Sequence, residues 1–233
     1  MLRSFLFKII FYFGLSVLCI FFIPSLVLPK KAVAFGGMLS GHWAALCLRL
    51  ILSINIEVRG SENILKNEKF FVASTHQSEF ETYYLQTLYN SPFFILKKEL
   101  LGVPVFGSLL KKLGCISIDR NKISRENLDF IKTVDAAINS NHNPLIIFPQ
   151  GTRCKTIDRP NFKKGVERIY KLRNIKCQPV VMNSGDIWPK EGNLYPNRKI
   201  IISVLTPIEP NLQDIDFLKM LQTKMYTELD KIL

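Results

Sequence analysis

Residues 9–29 run without a charge, with Arg3 and Lys8 before them and Lys30 and Lys31 after. A helix of about 20 residues is about 30 Å long, which matches the hydrocarbon core of a bilayer. Pro24 and Pro29 predict that the end of the segment is kinked or broken, because proline removes a backbone donor and clashes with the preceding turn. A second uncharged stretch, residues 32–48, follows almost at once, and Arg49 separates it from residues 50–56. Gly36-Gly37 lies between the apolar blocks and reads as a hinge. The expectation is therefore an N-terminal membrane-anchoring helical hairpin over residues 1–56, with two spanning helices or one span and one interfacial helix. Positive charges flank the runs on both sides, so they give no orientation. A cleaved secretory signal is the competing reading, since Ala32-Val33-Ala34 resembles an Ala-x-Ala site. Against it, the run exceeds the usual core of about 7–15 residues, and more apolar sequence continues beyond the site. His42, inside the second block, reads as a packed or interfacial residue.

Beyond Arg59-Gly60 the pattern changes. Apolar runs of strand length occupy residues 69–74, 93–96, 114–118, 145–148, 178–182 and 199–205. Helical spacing appears between several of them. Leu128, Ile131, Val134 and Ile138 form one stripe over residues 124–140; Leu218, Leu221, Met225, Leu229 and Ile232 form another over 212–233. Alternating strands and helices predict an α/β fold, a mainly parallel or mixed sheet flanked by helices, as one domain over residues 57–233. His142, beside Pro144, reads as a turn residue. The five cysteines lie far apart, with no Cys-x-x-Cys. That pattern is neither a disulfide framework nor a zinc site, and it suits a reducing compartment.

The chain is basic, with 31 Lys and Arg against 19 Asp and Glu and a net charge of +12. Such a surplus favours an anionic partner. Residues 153–176 concentrate it, with nine Lys or Arg against Asp158 and Glu167. A solvated face is one reading; a face for anionic lipid or an acidic carrier protein is the other. Nucleic acid fits poorly, because no aromatic sheet motif or zinc ligand set accompanies the charge.

Four constellations carry chemistry. His76, just after the first strand-length run, is followed five residues later by Glu81. A carboxylate on one ring nitrogen fixes the tautomer and raises the basicity of the other, which equips the pair to take a proton from a hydroxyl. Lys97-Lys98-Glu99-Leu100 puts two lysines after another run. The run at 114–118 leads into Asp119-Arg120. The run at 145–148 ends in Phe148-Pro149-Gln150-Gly151-Thr152-Arg153, a turn offering backbone amides, a hydroxyl and a guanidinium, which suits a phosphate.

Taken in order, these blocks resemble the glycerolipid acyltransferase family, specifically the 1-acylglycerol-3-phosphate acyltransferases. That family has a His, four residues and an acid; a glycine-containing strand ending in Arg; Phe-Pro-Glu-Gly-Thr-Arg; and a Val-Pro-Val-type strand. Here these stand as His76 to Glu81, 114–120, 148–153, and Gln178-Pro179-Val180-Val181. Two residues depart from the pattern: Glu81 replaces the usual Asp and Gln150 the usual Glu.

The resemblance implies transfer of a fatty acyl group from an acyl thioester, acyl-CoA or acyl carrier protein, to the sn-2 hydroxyl of 1-acyl-sn-glycerol 3-phosphate, giving phosphatidic acid. It implies no metal and no cofactor beyond the thioester co-substrate. His76 is the expected base and Glu81 its orienter. Lys97, Arg120, Gln150, Gly151, Thr152 and Arg153 are the expected binding residues for the phosphate-bearing acceptor, with amides near Gly151 as further donors. The expected setting is the inner membrane, with membrane phospholipids as partners and the catalytic domain facing the cytoplasm. Two other readings stand beside it: an acyltransferase for another lysolipid, and a catalytically impaired protein that binds anionic membranes.

Overall fold

The computed structural model describes residues 1–118, 126–140, 143–212 and 216–233; the side chains of residues 126–130 and 173 lie outside that description. The strands are β1 (Asn55–Arg59), β2 (Phe70–Ser74), β3 (Phe93–Lys97), β4 (Ile116–Ile118), β5 (Leu145–Ile147), β6 (Lys176–Met182) and β7 (Lys199–Val204). They form one sheet in the order β1-β7-β6-β2-β5-β3-β4. Every pairing is parallel except that of β6 with β7. The helices are α1 (Leu2–Phe21), α2 (Lys30–Leu52), α3 (Phe80–Leu88), α4 (Phe106–Lys112), α5 (Glu126–Ser140), α6 (Lys164–Arg173) and α7 (Phe217–Ile232). The mixed α/β architecture expected from the alternation of runs is the one observed.

The central strands are apolar throughout because both faces of the sheet are covered. Side chains alternate across a strand, so Phe70 and Val72 join a core shared with α1, α2 and α3. Phe71 and Ala73 point the other way, into a core shared with α5, α6 and α7. Val134 and Ile138 of the α5 stripe are buried there, as are Leu221, Met225, Leu229 and Ile232 of α7. Helix α7 starts at Phe217, later than the stripe suggested, because Asp216 caps it by accepting from the Lys219 N–H at 3.1 Å.

Two expectations change at the N-terminus. The bend between the two apolar helices is not at Gly36-Gly37 but at a short 3-10 turn, Ile23–Leu26, after which Pro29 precedes α2. Gly36 and Gly37 lie inside α2 and serve close packing. A Cβ at Gly36 would meet the Phe22 ring at 2.8 Å, and one at Gly37 would run into the Gln86 side chain on α3. The apolar block also ends sooner than residue 56. Ser53 turns left-handed (φ 55°) after α2, and Asn55 and Ile56 already pair with Lys199 and Ile200 of β7. That edge strand was hidden in the sequence because Leu50 to Ile56 reads as one apolar run.

Helix α1 carries apolar residues on two sides. Phe7 and Phe11 are fully buried, while Phe5, Ile9, Phe13, Val17 and Ile20 form an exposed stripe along its length. Both α1 and α2 are long and apolar enough to cross a membrane by length and composition. His42 lies on the exposed side of α2. Arg120 and His142 lie outside the described residues.

Candidate active site

The C-terminal ends of β2, β5 and β3 are neighbours, and each carries one motif. In parallel α/β sheets this edge is where ligands bind, because the strand-to-helix turns open outward there. His76 follows β2, residues 148–153 follow β5, and Lys97 ends β3.

Two hydrogen bonds clamp the backbone of His76 to the turn after β5. Its N–H donates to Gln150 Oε1 at 2.6 Å, and its carbonyl accepts from the Cys154 N–H at 2.9 Å. The imidazole stacks on the Phe148 ring, with centroids 4.0 Å apart and planes 15° from parallel. Backbone and ring are thus fixed by the same turn. The buried Nδ1 faces Glu81 Oε2 at 3.5 Å. That is longer than a hydrogen bond, with the carboxylate facing the nitrogen.

Glu81 is fully buried, so its charge needs partners. It sits in the first turn of α3, where the helix dipole favours an anion. Oε1 accepts from the Gln77 and Ser78 N–H groups at 3.2 and 3.1 Å and from the Ser184 hydroxyl; Oε2 accepts from the Ser78 N–H at 3.0 Å. Ser184 lies just past β6, and no sequence motif pointed to it. The longer Glu side chain, in place of the family's Asp, reaches these donors and His76 together.

Gln150, expected as a binding residue, is buried at 2 % exposure and turned toward His76. The Tyr226 phenol on α7 lies near enough to feel the Gln150 amide, which opposes the rise that burial gives the phenol. That hydroxyl donates to the Pro160 carbonyl at 2.6 Å. Gly151 takes the left-handed region at φ 77°, which glycine tolerates without strain, and its N–H donates to the Phe148 carbonyl at 3.0 Å. The amide of Gly151, expected as an anion donor, is therefore used within the turn.

Arg153 lies at the cavity and is bonded to Glu79, Nη1 to Oε1 at 3.0 Å. Tyr12 of α1 donates to the other oxygen of Glu79 at 2.8 Å. Lys97 pairs with Glu99 at 2.9 Å. Thr152 is exposed at the rim. Burial raises the Cys154 thiol, and it pushes Cys115 up to about 11, away from thiolate character. Among the described residues, no three His, Cys, Asp or Glu side chains gather to hold a metal ion.

These groups open into one cavity of about 570 Å³. Its lining is mixed. His76, Glu79, Lys97, Thr152, Arg153 and Lys190 supply polar and charged groups, whereas Leu15, Leu18 and Phe22 from the N-terminal helices and their connection, Val33 of α2, and Leu100, Phe106, Leu109 and Leu113 around α4 supply apolar ones. A larger groove, about 720 Å³, lies at the opposite end of β2 between residues 64–70 and 88–90 and contains none of the motif residues.

The family model for the acyltransferases, described as Acyltransferase, matches residues 55–183. The chain belongs to the acyltransferase family. This acyltransferase-family chain is 33% identical over 144 residues to a 1-acyl-sn-glycerol-3-phosphate acyltransferase of Pseudomonas aeruginosa, covering 62% of this chain and 55% of that protein. It is 32% identical over 174 residues to the protein of the same name from Helicobacter pylori, covering 72% and 71%. The match thus spans little more than half the length of the first relative. In fold, the acyltransferase-family chain is similar to the crystal structure of the 1-acyl-sn-glycerophosphate acyltransferase PlsC from Thermotoga maritima. That likeness has a TM-score of 0.82 at 22% identity and covers 99% of this chain and 96% of the other.

Proposed function

We propose that the protein transfers a fatty acyl group from an acyl thioester to the sn-2 hydroxyl of 1-acyl-sn-glycerol 3-phosphate, forming phosphatidic acid. The observation that carries this reading is the amphipathic cavity, whose lining combines a base and cations with hydrocarbon side chains. It matches a substrate with a phosphate, a hydroxyl and an acyl chain. The names of the two bacterial relatives agree with it.

In this mechanism His76 takes the hydroxyl proton on Nε2, the nitrogen away from Glu81, as the oxygen attacks the thioester carbonyl. Glu81 holds the proton on Nδ1 and stabilises the imidazolium. The tetrahedral intermediate collapses by breaking the C–S bond, and the imidazolium returns its proton to the thiolate. The thioester is already activated, so no acyl-enzyme is needed. Neither Cys115 nor Cys154 is assigned a role.

Arg153 takes the acceptor phosphate. Glu79 occupies only its Nη1 side, leaving the rest of the guanidinium to bind phosphate. Arg153→Ala is expected to raise the Michaelis constant for lysophosphatidate about ten-fold or more, with a smaller change in kcat. An unchanged constant in steady-state kinetics removes Arg153 from this role.

Gln150 is assigned to positioning rather than to binding. The Tyr226 hydroxyl is already donated to Pro160, so toward residue 150 it can only accept. An amide supplies the matching donor; a carboxylate does not. Gln150→Glu, although it restores the family's usual residue, is therefore expected to lower kcat by about five-fold, the cost of one neutral hydrogen bond. A kcat equal to or above wild type would show that the amide is not needed.

The exposed stripe of α1 anchors the protein in a membrane and holds the cavity mouth at headgroup level, where lysophosphatidate resides. The exposed Lys155, Lys163, Lys164 and Arg168 of the basic segment 153–176 favour docking on anionic lipid or on an acidic acyl carrier protein, each charge near the surface contributing about 1 kcal/mol. The decisive assay measures free thiol released from acyl-CoA and, separately, from acyl carrier protein, with and without lysophosphatidate. Acceptor-dependent release supports the reading and identifies the donor. Release that another lysolipid stimulates while lysophosphatidate does not would overturn the acceptor assignment.

A further inference from the structure

Among the described residues, the two cations expected from the motifs, Arg153 and Lys97, are each already paired with a carboxylate. Arg153 is matched by Glu79 at 3.0 Å and Lys97 by Glu99 at 2.9 Å. A phosphate monoester carries between one and two negative charges near neutral pH and three acceptor oxygens. A neutral pair can orient it but attracts it weakly. Lys190 lines the same cavity as His76 and Arg153, and among the described residues no carboxylate forms an ion pair with it. Its charge is felt at the motif turn, where it acts on Cys154.

The segment bearing Lys190 connects β6 to β7, and helix α1 pins it on both sides of the lysine. Trp188 packs edge-on against Phe7 and Phe11, with centroids 5.0 and 5.1 Å apart. Beyond the lysine, the Lys8 ammonium donates to the Gly192 carbonyl at 2.9 Å, and the Leu194 N–H donates to Ser4 Oγ at 2.8 Å. A flexible side chain thus projects from a backbone held two residues before it and two and four residues after it. The same helix holds Glu79 through Tyr12.

We propose that Lys190 is a further anion-binding residue of this site, which engages the phosphate monoester of the lysolipid acceptor together with Arg153. This rests on the acyl-transfer reading above. It makes α1 a builder of the phosphate site, because the helix fixes both the Lys190 segment and the carboxylate that orients Arg153.

The test uses the full chain in neutral detergent micelles, with lysophosphatidate varied at saturating acyl thioester and then the reverse. Lys190→Ala is expected to raise the Michaelis constant for lysophosphatidate about ten-fold and Lys190→Glu about a hundred-fold, with kcat within two-fold. Lys190→Arg is expected to stay within three-fold of wild type. An unchanged constant for lysophosphatidate overturns the proposal. So does a rise confined to the thioester, which would assign the lysine to phosphates of the donor. Failure of the acyl-transfer reading itself shows separately, as wild-type protein that releases no thiol when lysophosphatidate is added. In that case direct calorimetric binding of a short-chain lysophosphatidate decides the matter. Weaker binding by Lys190→Glu than by wild type supports the assignment; equal or absent binding overturns it.

Discussion

His76→Ala is expected to lower turnover by at least about 100-fold while leaving the fold intact. General-base assistance is worth about 10²–10⁴-fold, and the alanine variant keeps the positioning that fixed geometry supplies. The fold should survive because the interactions that hold this segment do not use the imidazole. The His76 N–H donates to Gln150 and its carbonyl accepts from Cys154, and both bonds persist in alanine. The ring's own contacts are the Phe148 stack and the 3.5 Å approach to Glu81. Its Nδ1 makes no hydrogen bond in this state, so removing it leaves no donor stranded. The check is kcat from thiol release, beside a thermal melt of wild type and variant. Turnover within ten-fold of wild type, in protein that melts normally, would remove His76 as the base. Loss of both activity and cooperative melting would recast it as a folding residue.

The sequence disclosed the parts of this site that lie on strand ends. A buried parallel strand is a short apolar run, and the polar residues just after it stand out. His76, Gln150, Arg153 and Lys97 were legible for that reason, as was the alternation that makes the sheet. Residues brought in by tertiary contact were not. Ser184 reaches Glu81 from just past β6, Tyr226 of α7 lies beside Gln150, and Lys190 arrives on the connection from β6 to β7. Nothing in their local sequence marks them. Glu79 lay inside the His76 to Glu81 motif, yet its role depends on Arg153 and Tyr12, 74 and 67 positions away. The glycine pair in α2 failed as a hinge for a related reason. Glycine permits both a bend and a close approach, and only the neighbouring Phe22 and Gln86 decide between them. The chain instead turns at its prolines, where the backbone constraint is local.

Glu81→Gln is expected to lower kcat by about 10²–10⁴-fold, through the tautomer of His76 rather than through lost charge alone. The proposed base is Nε2, so its lone pair must be free and the ring proton must sit on Nδ1. Glu81 Oε2 can only accept, which favours that arrangement. A glutamine has two orientations. With its amide nitrogen in the Oε1 position, it meets the Gln77 and Ser78 N–H groups and the Ser184 hydroxyl, now lined by a donor. With the nitrogen in the Oε2 position, it faces only the Ser78 N–H and His76. The second orientation strands fewer donors and so prevails. It also donates to Nδ1, which drives the proton to Nε2 and blocks the base. The buried cluster loses charge-assisted bonds at the same time, a further destabilisation of about 1–3 kcal/mol. Glu81→Asp keeps the charge and the acceptor character but shortens the reach, so it should fall between wild type and glutamine in both respects. The measurements are kcat and thermal midpoint for the two variants. A glutamine variant within three-fold of wild-type kcat would mean that Glu81 holds the start of α3 and leaves the chemistry of His76 untouched.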